Sequence, residues 1–180
     1  MSNGVLQKFL SGKSPFHETK ALWGNGTMPL RVRYFLCNEQ APEQFVTSVR
    51  CLVLHNDSVL VLRNRDEVHV LPGGRRQEGE TLEQTLRREV SEETGWQVGA
   101  ISLLGFIHLE HLGPKPPGYE FLHPHFLQIV YHSRASKHVP ESMLDNDYEE
   151  HAGFAPIGKL EDLGIAEAEL EYVRSAIDGK

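Results

Sequence analysis

The stretch GRRQEGETLEQTLRREVSEETGW, residues 74–96, decides how this chain is read. Pro72-Gly73-Gly74 stops any preceding strand and lets the backbone turn sharply. Thr81 and Gln84 have the spacing of a capping box, and Gly95 stands where a left-handed residue ends a helix. A helix is therefore bounded by local signals at both ends. With about 100° between successive residues, Glu89, Glu92 and Glu93 fall within about 50° of a common direction. Leu82, Leu86 and Val90 form the apolar stripe of the same helix, and the carboxylates border it. Clustered like charges cost a few tenths of a kcal/mol per pair, and the dipole near the C-terminal end disfavours anions further. Hard divalent cations compensate such a cluster well, because carboxylate oxygens suit Mg²⁺ or Mn²⁺. Arg88, four residues before Glu92, can pair with it and orient it.

Outward from this segment the pattern is that of an α/β protein. Strand-like runs precede it at Arg31–Cys37, Val46–His55 and Val59–Arg63, the last two separated by the turn-forming Asn56-Asp57-Ser58. Val49, Cys51 and Val53 share one face of their strand while Leu52 and Leu54 share the other, which predicts a central strand covered on both sides. A short extended stretch, Glu67–Leu71, leads into the turn. Strand patterns resume at Gln97–His111 and Phe121–His132, joined by the Pro- and Gly-rich connection 113–118. A last helix is expected over Ile165–Ile177, with Leu170, Val173 and Ile177 facing the core. Residues 1–27 read as an N-terminal arm of uncertain order, and 28–180 as a single domain.

Composition bounds the function. At 180 residues, with 39% hydrophobic and 24% charged residues, the chain has ordinary globular usage. The net charge of -7 repels nucleic acid and anionic membrane surfaces, so a polyanionic substrate needs local help from cations or a few arginines. No nucleic-acid or membrane partner is expected. Cys37 and Cys51 have no metal-ligand spacing and read as reduced structural thiols. With no long apolar run, the expected location is the cytoplasm.

A Glu-Glu pair taken alone is most often a solvated helix face. Seven fixed identities over residues 74–95 arise by chance on the order of once in 10⁷–10⁸ starting points. Gly74–Trp96 resembles the Nudix box: a glycine, five residues, a glutamate, seven residues, then Arg-Glu-aliphatic-x-Glu-Glu-x-Gly-aliphatic. Val90 fills the first aliphatic slot, but Trp96 fills the last, where a smaller branched residue is usual, so altered packing is expected there without loss of chemistry. The resemblance implies a Nudix-type α/β/α sandwich with a mixed β-sheet, the box forming a loop–helix–loop. Residues 150–163 resemble the strand that follows the active-site loop in this family.

Carried over position by position, the resemblance makes Glu89, Glu92 and Glu93 ligands of Mg²⁺ or Mn²⁺, with Glu80 and Arg88 orienting them. It implies a metal-dependent hydrolase of phosphoanhydrides in a nucleoside diphosphate linked to another moiety. Nucleoside triphosphates, nucleotide sugars, ADP-ribose and dinucleoside polyphosphates all qualify. Gly73 and Gly74 allow close backbone approach to such a substrate, and Arg63, Arg65, Arg75 and Arg76 flank the turn as candidate phosphate holders, although surface arginines are often only solvated. The family's further acid from a later loop has five candidates: Glu120, Asp145, Asp147, Glu149 and Glu150.

Other signals are weaker. His123-Pro124-His125 lacks a third ligand of known spacing and is discounted as a metal site. His69 takes the place of an aromatic residue often found ahead of the Pro-Gly-Gly turn. Pro114 lies close to, but off, the spacing of a proline in ADP-ribose-cleaving members. The alternative function is a non-catalytic nucleotide-sensing or binding module on the same fold. An isomerase on this scaffold would need a reactive Cys or an added acid, and Cys51 reads as buried. The arm before Thr27 and the connection around Pro114 could serve a homodimer contact, which is common in the family.

Overall fold

The computed structural model describes residues 3–24, 26–65, 67–144 and 149–179, without the side chains of Asn3, Glu149 and Glu150. The chain divides into two compact units, Met1–Thr47 with Gly105–Ile129 and Ser48–Leu104 with Val130–Lys180. No helix among the described residues is long and apolar enough to cross a membrane.

The second unit carries the box. Strand β3, Val46–His55, enters it at Ser48 and turns back into β4, Ser58–Asn64, with Leu54 opposite Val59 and His55 opposite Ser58. Only Asn56 and Asp57 lie between the paired ends, and Asn56 has φ 52°, the left-handed conformation that a two-residue hairpin needs and that asparagine tolerates. β4 also pairs antiparallel with the two-residue β5, Val68–His69, and with β8, Glu149–Pro156, from Ser58 opposite Pro156 to Asn64 opposite Glu149.

Helix α2, Leu82–Thr94, is terminated as its sequence dictates. The Thr81 hydroxyl accepts from the Gln84 N–H at 3.2 Å, the Gln84 side chain accepts from the Thr81 N–H at 2.8 Å, and Gly95 closes the helix at φ 69°. Its Leu86 and Val90 are fully buried against Val49, Cys51 and Val53 of β3 and Leu60 and Leu62 of β4. Leu52 and Leu54 are buried too, so β3 is covered on both faces as its continuous apolar run requires. Helix α3, Glu167–Asp178, buries Ala168, Leu170, Tyr172, Val173 and Ala176, a stripe shifted towards Ala176 from the expected Ile177.

In the first unit two elements stand where the sequence reading has none. Helix α1, Asn3–Leu10, buries Leu6 and Phe9, and the Phe9 ring lies 5.0 Å from that of Phe106. Strand β1, His17–Trp23, pairs along its whole length with β2, Met28–Leu36. β2 pairs on its other side with residues 105–111 of β6, Trp96–His111. Phe35 stacks on Phe106 at 4.5 Å, and Arg31 and Arg33 both bond Glu110, at 3.2 and 3.0 Å. β1 has no apolar alternation, so what makes it a strand is the partner. Strand β7, His125–His138, starts four residues later than the expected Phe121, because Pro124 lacks the N–H a ladder needs and Phe121 lies half exposed ahead of it.

The Leu86 side chain ties the box helix to β3 and β4, whereas Thr81 only closes the helix end. Leu86→Ala should cost about 2–5 kcal/mol in urea unfolding, against about 1 kcal/mol for Thr81→Ala. Equal losses would show that the helix is held by its cap and not by its buried stripe.

Candidate active site

The turn before α2 is pinned to the central strand. Val49 N–H donates to Gly74 O at 3.1 Å, Cys51 N–H donates to Pro72 O at 2.9 Å, and Ser48 forms a bridge with Arg75. Gly73 has φ 142°, and a side chain there would strike the Val49 carbonyl; one at Gly74 would strike the Glu89 carboxylate. Close approach to the β3 backbone demands glycine at 73, whereas at 74 a side chain would displace the movable end of an acid of the box.

Arg88 gathers three of the acids. Its Nε and Nη2 donate to the two oxygens of Glu80 at 2.6 and 2.9 Å, a bidentate pair. Its Nη1 donates to Glu89 at 2.7 Å and to Glu92 at 3.0 Å, so the expected pairing with Glu92 is one arm of a larger bridge. Nη2 also reaches Arg75 O at 3.2 Å, which ties the bridge to the turn. Glu80 takes further bonds from the Gln77 N–H at 3.0 Å and the Thr85 hydroxyl at 2.9 Å. These donors, with Arg88 first, hold its carboxyl down to about 2, while Glu80 first, then Glu89 and Glu92, push the Arg88 guanidinium up. Glu93 stands apart, accepting from the Gly73 N–H at 2.8 Å.

Three carboxylates facing one guanidinium leave a net negative charge of two within the Arg88 cluster. All the donors are carboxylate oxygens, the set that suits a hard divalent cation. Among the described residues no three His, Cys, Asp or Glu side chains are already gathered around one point. The reason lies in their orientation: Glu89 and Glu92 are turned onto Arg88 and Glu93 onto Gly73.

The remaining candidates are scattered more widely. Arg76 donates from Nε to Glu80 O at 2.5 Å, and Arg75 is exposed. Arg63 and Arg65 are exposed and line a cleft of about 380 Å³. His69 is 8% exposed, a buried residue and not an open stacking face. Trp96 packs on the core beneath α2, stacks on His138 at 4.5 Å and meets Phe154 edge-on at 5.1 Å. Asp145 and Asp147 lie outside the described residues, as do the side chains of Glu149 and Glu150; Glu120 is exposed in the first unit. In that unit His125 Nδ1 lies 3.2 Å from His108 Nε2, and His123 Nε2 lies 3.1 Å from Gly113 O. Burial first, then Arg33, holds His108 down to about 3. Cys51 is fully buried and its thiol is pushed up to about 12 by that burial, so it is inert.

Three side chains at the site escaped the sequence reading. Thr85 braces Glu80 from the buried face of α2. Arg50 donates from Nη1 to Gly73 O at 2.5 Å, and a lone arginine within the apolar run of β3 was the available signal. Glu169 of α3 accepts from the Val70 N–H at 2.8 Å; its neighbours Ala168 and Leu170 are core residues, and no local pattern marks it. Burial is the first cause that raises its carboxyl to about 6.

The comparisons with known proteins agree with this geometry. The NUDIX domain family model matches residues 44–175, and the chain belongs to the Nudix family. Over 87 residues it is 33% identical to the NAD-capped RNA hydrolase NudC of Salmonella paratyphi B and of Salmonella newport. That match covers 47% of this chain and 31% of those proteins, so the chain spans about a third of the length of these relatives. A NUDIX hydrolase from Nitrosomonas europaea superposes with a TM-score of 0.58 at 18% identity, covering 75% of this chain and 90% of its own. The Bacillus subtilis pyrophosphohydrolase BsRppH does so at 0.60 with 14% identity, covering 89% and 97%. The fold class is therefore the expected α/β Nudix fold, a mixed sheet with few helices.

Glu169 gives the unit a pH dependence of defined sign. Its folded pKa, about 6, lies above the ordinary 4.5, so the stability it contributes is full below pH 4.5 and lost as pH rises through 6. Glu169→Gln keeps an acceptor for Val70 and never ionises. Thermal unfolding should find the variant more stable than wild type at pH 8, by on the order of 2 kcal/mol, and level with it at pH 4. A difference that is the same at both pH values would show that the carboxyl is not strained by burial.

Proposed function

We propose that the chain is a Nudix-type pyrophosphohydrolase that cleaves a phosphoanhydride in a nucleoside diphosphate linked to another group. The observation that carries this reading is the Arg88 bridge: one guanidinium holds Glu80, Glu89 and Glu92 while Glu93 sits on the N–H of the adjoining glycine turn. A helix with only a solvated acidic face has no need of such an arrangement. Glu89, Glu92 and Glu93 would hold Mg²⁺ or Mn²⁺. When bound, such a cation polarises the phosphoryl oxygens, lowers the pKa of the attacking water and neutralises charge on the leaving phosphate.

The chain's own residues do the rest. Arg88 and Glu80 fix the direction of the Glu89 and Glu92 carboxylates, and Arg88 in turn holds the Glu80 carboxyl well below the usual carboxylate range. The Gly73-Gly74 turn, free of side chains, lets the diphosphate approach the backbone, and Arg63, Arg65, Arg75 and Arg76 supply positive charge against the net -7 of the molecule. One glutamate of the box takes the proton from water. Residues 28–180 act as one hydrolase domain after the arm at 1–27, in the cytoplasm and with both thiols reduced.

The substrate panel includes nucleoside triphosphates, nucleotide sugars, ADP-ribose and dinucleoside polyphosphates. It also includes NAD-capped RNA, because the NudC relatives are hydrolases of that molecule by name. Phosphate or nucleotide release with and without Mg²⁺ or Mn²⁺ tests the reading. Metal-dependent turnover of one class supports it, and binding without turnover across the panel moves the assignment to a nucleotide-sensing module. Glu93→Gln retains an acceptor for the Gly73 N–H but loses the charge. Its turnover should fall by about 10²-fold or more with the melting temperature little changed. Normal Mg²⁺-dependent rates in that variant would sink the site assignment.

A further inference from the structure

Between the end of β4, the start of β5 and the first turn of α3 lies a cleft of about 380 Å³, within the range of small-molecule sites, and Arg63, Arg65, Glu67, Val68 and Glu169 are among its lining residues. Its position follows from the backbone. Val70, whose N–H is held by Glu169, is three residues before Gly73, whose N–H is held by Glu93. Three residues span at most about 11 Å, so with one hydrogen bond at either end the Glu169 and Glu93 carboxylates lie no more than about 17 Å apart, roughly the length of an extended nucleoside diphosphate.

Glu169 is the unusual member of this lining. It sits between the core residues Ala168 and Leu170, where an apolar side chain would cost nothing. Its bond from Val70 uses one of roughly four acceptor positions on a carboxylate. Arg50 and His69 favour its charge, Glu67 opposes it, and burial outweighs them all. An acid kept at a cost to the fold, with acceptor capacity left over on the wall of a cleft, is suited to reading hydrogen-bond donors on a ligand.

We propose that this cleft receives the nucleoside part of the substrate, and that Glu169 is a specificity-determining residue that accepts hydrogen bonds from two neighbouring donors on it. The proposal rests on the hydrolase reading for its phosphate end. Two parts of a nucleoside carry such a donor pair: the adjacent N–H groups on the edge of guanine, and the 2′,3′-hydroxyls of ribose. Adenine offers a carboxylate only its amino group, and a 2′-deoxyribose lacks one hydroxyl.

The test uses the full chain as wild type, Glu169→Gln and Glu169→Ala, each checked for folding by thermal unfolding. Calorimetric titration with GDP, ADP and their 2′-deoxy forms measures binding. Steady-state rates on the matching triphosphates and nucleotide sugars measure turnover. Wild type should prefer guanine to adenine, or ribose to deoxyribose, by about 10-fold or more; the arm in which the preference appears identifies the donor pair. In both variants that ratio should fall towards one, with KM changing more than kcat. Preferences unchanged by either substitution, or kcat losses equal on every substrate, would overturn the proposal. The two readings fail separately. A Glu169-dependent binding preference without turnover keeps the cleft and removes the hydrolase, whereas turnover with ratios insensitive to Glu169 does the reverse. A wild type that neither binds nor turns over any of these compounds overturns both.

Discussion

A single guanidinium with three carboxylates around it is the constraint on which the rest of the site depends. Glu89 and Glu92 are one helical turn apart on the same face as Glu93, and without a counter-charge they would repel one another at the end of the helix where the dipole already opposes anions. Arg88 resolves this with geometry that lysine could not supply, because its planar fork serves Glu80 with one edge and Glu89 and Glu92 with another nitrogen. One positive charge for three negative ones is a partial remedy. The residual charge favours a divalent cation, and the orientation imposed by Arg88 keeps the acids from collapsing into solvent.

The bridge would be useless on a mobile loop, and the fold prevents that by making the turn part of the sheet. β3 is buried on both faces, and residues 72–75 are laid along it by backbone hydrogen bonds. Arg50 reaches out of that strand to the Gly73 carbonyl, and Glu93 reaches back to the Gly73 N–H. The two peptide groups that flank the Gly73 Cα are thereby held, the one after it by the strand beneath and the one before it by the helix that follows. Gly73 is the price of that proximity.

Much of this was legible in the sequence because it is local. The ends of α2 are written in Thr81, Gln84 and Gly95, and the convergence of its acids follows from 3.6 residues per turn. The β3–β4 hairpin follows from Asn56-Asp57 between two apolar runs. What was not legible depends on partners far along the chain. β1 is a strand only because β2 lies beside it, α1 is too short for its two buried residues to make a pattern, and Pro124 displaces the start of β7. In the site, the Arg88–Glu92 pair was read from an i,i+4 spacing, whereas Glu80 lies eight residues away across the helix start. Arg50 and Glu169 come from elements with no sequence relation to the box. Glu169 is the harder of the two, since a glutamate at the edge of an amphipathic helix looks like any solvated one until α3 is placed against β5.

That difference in legibility reflects a division of labour. In the proposed reading the acids, the arginine and the glycines of residues 73–95 would serve chemistry at a diphosphate, which is the same whatever group is attached to it, so their requirements can be met within one loop and one helix. Nothing in that segment can tell one nucleoside from another. Discrimination needs surface further from the phosphates, and the surface proposed for it is assembled from the end of β4, the start of β5 and the first turn of α3. None of the residues 63–68 or 164–169 that line the cleft is among the hydrogen-bond partners of Arg88 described above. A chain built this way can change what it recognises while keeping what it does, and in the proposed reading the Glu169 carboxyl on α3 belongs to the part that changes.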